Sequence, residues 1–480
     1  MRSGSFRHSF ARVGAWLSSN FGYRPFLVLL GLGIAVRIAL SAMYFPAVME
    51  SFDSARFARA GPTGAFDDYW IPAAYPAFLA VLRLVTDQLW VTIAVQHLIG
   101  LGVGALLFLT ARRLGASPAL ACIPAAVVFL SGDHLYLEHI IMADYLLIAT
   151  TAAALAVAVR GLVPKPDHRW LVAAGALAGL AMLSRSVGVV VIAVVALCAA
   201  TWAGDAWRPR STGLLSVLGG AAVILGLYVG SYHIADGRYL GLTDMRGWNL
   251  YGRVAPFADC SEFTPPSGTR ALCDERPPDQ RPGPFGYIWD ENSISRRAFP
   301  VGPETGEKLA NFAREAIWAQ PVDYGRAVLI DLARYVEPTV GPLRGYSGQS
   351  SDHVSFGFRD AAVERIVVEG LSRKYSGTDV HVSRIGALES YQKLFRVDRL
   401  LLGFFLVATF GGFWVARGTL RLGVVMFGLT GLGLYVLPVV TISYDFRYGI
   451  PPATFVAVSG ALGVAAALQR RGGPAVSDAR

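Results

Sequence analysis

The sequence predicts an all-α polytopic membrane protein of about ten spans with a mixed extracytoplasmic insertion. Three observations carry that prediction. Hydrophobic residues make up 54% of the chain and charged ones only 16%, against about a quarter charged in an average soluble domain. The apolar residues come in long blocks, not in short alternating runs. Basic residues gather at alternate block ends, the pattern that places Lys and Arg in cytoplasmic loops.

In order, the apolar blocks lie at about 25–46, 88–110, 117–132, 140–159, 169–184, 187–203, 211–234, 398–416, 419–441 and 447–468. One set of block ends carries Arg2, Arg7, Arg12 and Arg24; Arg112 and Arg113; Arg160, Lys165 and Arg169; Arg208 and Arg210; Arg417 and Arg421; and Arg470 and Arg471. A ten-span count puts all of these on one side, which the positive-inside rule makes cytoplasmic, with both termini inside. The other face then holds 47–87, 133–139, 184–188, 235–397 and 442–446. The expected location is a cell (plasma) membrane. The organisation expected is an N-terminal transmembrane module, 1–234, with spans one to seven and a first external loop at 47–87. An extracytoplasmic segment, 235–397, and a C-terminal transmembrane module, 398–480, with spans eight to ten, complete it. The basic N-terminus and the long run that follows do not read as a cleaved signal peptide.

The chain has 43 basic and 34 acidic residues, a net charge of +9. In a membrane protein this excess reflects cytoplasmic loops, so no nucleic-acid partner is expected; the lipid bilayer is the expected surrounding. Inverted internal repeats, a mark of many secondary transporters, are not evident. Segment 235–397, about a third of the chain, is too long for a structureless loop. Its first part, "CSEFTPPSGTRALCDERPPDQRPGPFG", is irregular, and Cys260 and Cys273 within it can form a disulfide if the segment faces an oxidising compartment. Further on, Leu309, Phe312, Ile317, Val328, Leu332 and Tyr335 recur at helical spacing, and Pro321 separates two amphipathic helices.

Charges at membrane depth are costly and so single out functional candidates. In "MESFDSARFARAG" (49–61), Asp53 could act as general base for an incoming hydroxyl, with Glu50 and Arg56 as further substrate-binding candidates; the alternative is a solvated loop acid. "SGDHLYLEHIIMADYLL" (131–147) brings His134, Glu138 and Asp144. His134 and Glu138 share a helical face, and with Asp53 they could hold a divalent ion (Mg, Mn or Ca), though no other cofactor is indicated. Arg185 in "LSRSVG" could grip a phosphate with its planar fork or snorkel to the interface. In "SYDFRYGIPP" (443–452), Arg447 could hold an anionic ligand or pair with Asp445, while Tyr444 and Tyr448 stack nearby. Carboxylates and arginines thus meet on one rim of an apolar bundle, which suits a ligand with an anionic head and a lipid tail.

At these residues the chain resembles the GT-C superfamily of polyprenyl-phosphate-sugar-dependent glycosyltransferases, above all the protein O-mannosyltransferases, aminoarabinose transferases and arabinofuranosyltransferases. "FDSARFARAG" looks like the first-loop motif of that superfamily, "AAYPAFLAVL" its Pro-containing segment, "LEHIIMADYLL" its paired-acid motif, "AMLSRSVGVVV" its basic turn and "YDFRYGIPP" its late Asp-x-Arg-Tyr motif. The chain departs from the pattern where Ser54 follows Asp53 in place of a second acid, and where Asp144 stands for the commoner Glu. The resemblance implies an inverting transfer, with Asp53 as catalytic base, Glu138 and Asp144 as a second acidic site, and Arg185 and Arg447 on the donor phosphate. It implies a polyprenyl-phosphate-linked sugar as donor and a glycan, lipid or protein as acceptor. The competing readings are a lipid-linked-sugar transporter or flippase, and a noncatalytic membrane scaffold.

Overall fold

A backbone crossing hydrocarbon must satisfy its own N–H and C=O groups, and the apolar blocks do so as helices. The computed structural model describes residues 23–59, 70–236, 246–336, 354–357 and 359–471. Arg2, Arg7, Arg12 and residues 60–69 of the first loop lie outside the described residues.

The bundle begins with α1 (Arg24–Met43), followed by a short strand β1 (Tyr44–Phe45) and the helices α2 (Phe52–Arg59) and α3 (Ala74–Arg83). Then come α4 (Leu89–Arg113), α5 (Pro118–Leu130), α6 (Gly132–Glu138), α7 (Asp144–Leu162), α8 (His168–Ser184), α9 (Val189–Trp202) and α10 (Trp207–Asp236). The insertion carries α11 (Arg246–Val254), α12 (Pro284–Trp289), α13 (Ile294–Ala298), α14 (Pro303–Ala319), α15 (Pro321–Val336), α16 (Ala361–Ser372), strand β2 (His381–Val382) and α17 (Ile385–Leu394). The last three helices are α18 (Arg399–Val415), α19 (Gly418–Thr441) and α20 (Ile450–Arg471).

Each of the ten apolar blocks contains a helix. Among the described residues, six helices (α1, α4, α7, α10, α19 and α20) are long and apolar enough to cross a membrane, and α5 with α6, bent by 53°, makes a seventh if counted as one span. The remaining three, α8, α9 and α18, have 17, 14 and 17 residues, so length does not confirm the expected count of ten. The break between α8 and α9 is built in. Arg185 is extended, a 3-10 turn runs over Ser186–Gly188, and a Cβ on Gly188 would collide with the Ala181 and Met182 backbone. The chain therefore turns back along α8 just after Arg185.

The insertion packs in two ways. Residues from α11 through α15 share a core of their own in which Trp248, Tyr251, Tyr287, Leu309 and Phe312 are buried, and Trp70 packs against it. Leu309 and Phe312 thus lie on the buried face of α14, as helical spacing requires. Cys260 and Cys273 are joined by a disulfide. The later part folds back on the bundle. β2 pairs antiparallel with β1, Tyr44 opposite Val382. The Gln392 amide and the Arg396 guanidinium reach Asp133 at 2.9 and 3.0 Å.

Asp274 sits beside the disulfide. Burial pushes its carboxyl up, but the Arg276 guanidinium and the Tyr287 hydroxyl outweigh that and hold it down at about 2. A carboxyl whose value is lower folded than unfolded stabilises the fold fully above its ordinary value of about 3.9, and that contribution fades as pH falls towards the folded value. Asp274→Asn is therefore expected to flatten the loss of insertion stability between about pH 4 and 2, read from near-UV circular dichroism in an acid titration. An acid limb identical to that of the unmutated protein would contradict this role.

Candidate active site

Four chain segments distant in sequence deliver the charged groups. Asp53 lies in the first turn of α2, where a carboxylate complements the helix dipole, and Phe57 on the same helix anchors it by packing edge-on against Tyr75 at 5.0 Å. Asp144 opens α7, buried to 1% exposure. Arg185 is the extended residue that ends α8. Arg447 lies in a 3-10 turn, Phe446–Gly449, capped by Asp445, whose Oδ1 accepts from the Arg447 N–H at 2.9 Å. Pro451 and Pro452 follow in the first turn of α20, where a missing N–H costs nothing.

Their side chains form one continuous series. Arg56 Nη1 stands 4.0 Å from Asp53 Oδ1, and Asp53 Oδ2 stands 3.5 Å from Arg447 Nη1. Arg447 Nε is 3.9 Å from Asp144 Oδ1, and Arg185 Nη1 donates to Asp144 Oδ2 at 2.5 Å. The Tyr448 ring lies beneath both inner guanidiniums, 5.0 Å from Arg185 and 5.3 Å from Arg447. Arg447 also reaches Met142 Sδ at 3.0 Å. Three guanidiniums and two carboxylates alternate along the series. These groups line a cavity of about 730 Å³ whose apolar side includes Leu147, Val187, Leu434, Pro438 and Ile442.

Glu50 and Asp445 also line the cavity. Burial raises the Glu50 carboxyl above the usual range although its Oε2 accepts from the Asp360 N–H at 3.1 Å. Three other expected site residues are placed elsewhere. Glu138 is wholly buried inside the bundle, where Arg37 donates to it at 2.5 and 2.8 Å and His97 Nδ1 lies at 2.7 Å. It serves as counter-charge to an arginine in α1. His134 Nε2 is 3.0 Å from the Thr454 hydroxyl and lines a separate small pocket of about 40 Å³. Tyr444 is fully buried, its ring 4.0 Å from the Arg334 guanidinium and 4.7 Å from Tyr335. The divalent-ion set Asp53, His134 and Glu138 is not assembled. Among the described residues no three His, Cys, Asp or Glu side chains stand close enough to hold a metal.

Several residues were missed from the sequence. Arg37 and the pair Gln96–His97 lie within apolar blocks, and a charge at membrane depth was the signal that could have found Arg37. His97 Nε2 continues to His139 Nδ1 at 3.0 Å, and His139 Nε2 to the Tyr44 carbonyl at 2.7 Å. Gln96 donates to the Glu138 and Ile140 carbonyls and accepts from the Tyr75 hydroxyl. Gly100 permits this packing, because a Cβ there would strike the Glu138 carboxylate. Asn249 and Trp289 of the insertion line the main cavity and carried no local signal.

Residues 87–224 match the family model of the dolichyl-phosphate-mannose-protein mannosyltransferases. The match bears out, over that segment, the resemblance to the GT-C superfamily. It includes Asp144 and Arg185 and excludes Asp53 and Arg447. No curated protein matches the chain. Among solved structures, it is similar to the archaeal oligosaccharyltransferase AglB from Archaeoglobus fulgidus, in complex with an inhibitory peptide and a dolichol-phosphate, at 10% identity and a TM-score of 0.46. That likeness covers 95% of this chain and 51% of AglB, so the chain spans about half the length of that enzyme.

The Arg37–Glu138 pair carries a stability prediction. Glu138→Ala leaves a buried guanidinium uncompensated and is expected to destabilise the protein by about 3–5 kcal/mol. Replacing both partners with leucine should recover much of that loss. Thermal unfolding of the detergent-solubilised chain measures both, and an unchanged midpoint for Glu138→Ala would refute the assignment.

Proposed function

We propose that the chain is a GT-C glycosyltransferase that moves a sugar from a polyprenyl-phosphate donor to an acceptor hydroxyl, with inversion, on the extracytoplasmic face of the plasma membrane. The observation that supports this reading best is the series Asp53–Arg447–Asp144–Arg185 lining one cavity with an apolar side. The donor's phosphate lies between Arg185 and Arg447, with Tyr448 beneath. Its lipid tail follows the apolar side formed by Leu434, Pro438 and Ile442 into the bilayer.

Asp53 takes the proton from the acceptor hydroxyl as that oxygen attacks the anomeric carbon. The bond from that carbon to the phosphate oxygen breaks on the opposite face, and the polyprenyl phosphate leaves with the electron pair. The extra negative charge develops where the two guanidiniums already point, so little reorganisation is needed. Asp144 acts through them, because an acid shared between Arg185 and Arg447 fixes both forks without cancelling their joint charge. The orientation proposed, with both termini in the cytoplasm and the cavity outside, is supported by the basic block ends under a ten-span count.

Incubation with a panel of polyprenyl-phosphate sugars, scored for released polyprenyl phosphate, tests the reading. Asp53→Asn is expected to lower transfer by about 10²–10⁴-fold while the protein stays folded, the range for losing a general base. Retained activity in that variant would remove Asp53 from the role. Arg447→Ala should weaken use of the donor by about 10²-fold or more, and an unchanged donor dependence would argue against its place on the phosphate. Absence of turnover with every donor would favour a lipid-linked-sugar transporter.

A further inference from the structure

The cavity has an outer half that the chemistry above does not use. Along the charged series, Arg185, Asp144 and Arg447 form one end (the inner end below) and Arg56 the other (the outer end), with Asp53 between them. Beyond Asp53 the wall changes character. The Arg56 guanidinium lies 5.7 Å from the Trp70 ring and 5.5 Å from the Trp289 ring, and those two indoles are 4.3 Å apart, tilted by 34°. Trp289 is 47% exposed although the insertion core is close at hand. Asn249, one residue after the buried Trp248, and Glu50 line the same cavity.

We infer that this outer half is an acceptor subsite that takes a saccharide ring, so that the acceptor class is a glycan. The inference rests on the reading of Asp53 as base and of Arg185 and Arg447 as the phosphate site. If the inner end holds the donor, the acceptor hydroxyl reaches Asp53 only from the Arg56 side. An indole surface offers a flat apolar face to the C–H face of a sugar ring. The Asn249 amide, the Glu50 carboxylate and the Arg56 fork supply both donors and acceptors for ring hydroxyls, which have both. Polar groups that are buried by the ligand and matched to its hydroxyls would also reject acceptors lacking them. Trp289 and Asn249 both come from the insertion, so the inference makes that segment the acceptor-reading part of the protein.

The test measures acceptor binding without donor, on the full detergent-solubilised chain, by calorimetric titration. The probes are neutral disaccharides (mannobiose, arabinobiose and maltose) and a short serine- and threonine-bearing peptide. At least one disaccharide is expected to bind, with Trp289→Ala weakening it by roughly tenfold and Trp289→Phe retaining most of the affinity. Asn249→Ala should weaken the same disaccharide, and it keeps the test decisive if Trp289→Ala does not fold. Binding of the peptide alone, or disaccharide affinity indifferent to both substitutions, would overturn the proposal. The two readings fail separately. Disaccharide binding lost through Trp289 in a protein that turns over no donor would refute the transferase but not the subsite. Transfer to peptides regardless of Trp289 would do the reverse.

Discussion

The site depends on one constraint: a buried carboxylate must be paired, and Asp144 is paired from two directions. It opens α7 with 1% exposure, accepts from Arg185 at 2.5 Å and stands 3.9 Å from Arg447. Breaking a buried pair of this kind costs far more than a surface pair, because the surviving charge has no water to turn to. That cost draws together the end of α8, the start of α7 and the turn before α20. The break after α8 follows from it, since Arg185 reaches Asp144 from the extended residue that ends the helix. Arg447, fixed at that end, then meets Asp53 at 3.5 Å, so the most exposed acid of the series is positioned by the most buried one.

A second buried series steadies the opposite side of the same turn. Arg37, Glu138, His97 and His139 run from α1 through α6 to α4 and end on the Tyr44 carbonyl. Glu138 and Asp144 sit at the two ends of one short connection, six residues apart, each paired with arginine from elsewhere in the chain. The first pair ties α6 to α1 and the second orients guanidiniums into the cavity. The contrast explains how two acids in one motif can have separate duties: Glu138 has no exposure and does not line the main cavity, while Asp144 does.

The helices were legible because their apolar blocks have only one way to satisfy a backbone in hydrocarbon. The convergence of Asp53, Asp144, Arg185 and Arg447 was legible too, because each is a charge at the edge of such a block and charges there are rare. Span number was less so. α8, α9 and α18 are short, and hydropathy cannot say whether a short helix crosses alone. The roles of Glu138, His134 and Tyr444 were not legible, because what separates a ligand-facing group from a packed one is its tertiary partner. Arg37, Thr454 and Arg334 lie 101, 320 and 110 residues away from them, respectively. Arg37 shows that the same rule about charge at depth, applied inside a block as well as at its edges, would have identified Glu138 as its counter-ion.

The insertion is joined to the inner end of the cavity as well as to its mouth. Asp331, fully buried on α15, accepts from Arg253 of α11 at 2.5 Å and from the Tyr444 N–H at 3.0 Å. Tyr444 lies in the same turn as Asp445 and Arg447. A helical wheel would assign α15 an apolar buried face; the residues buried there are Ala327, Asp331 and Arg334. Burying an acid and two arginines is a poor way to gain stability, since apolar residues of similar volume do as well or better. The arrangement instead fixes a geometry. Helix α15, the turn that bears Arg447 and helix α11, which carries Asn249, share one ionic anchor, so the cavity wall at Asn249 and the arginine at its other side are held in one register.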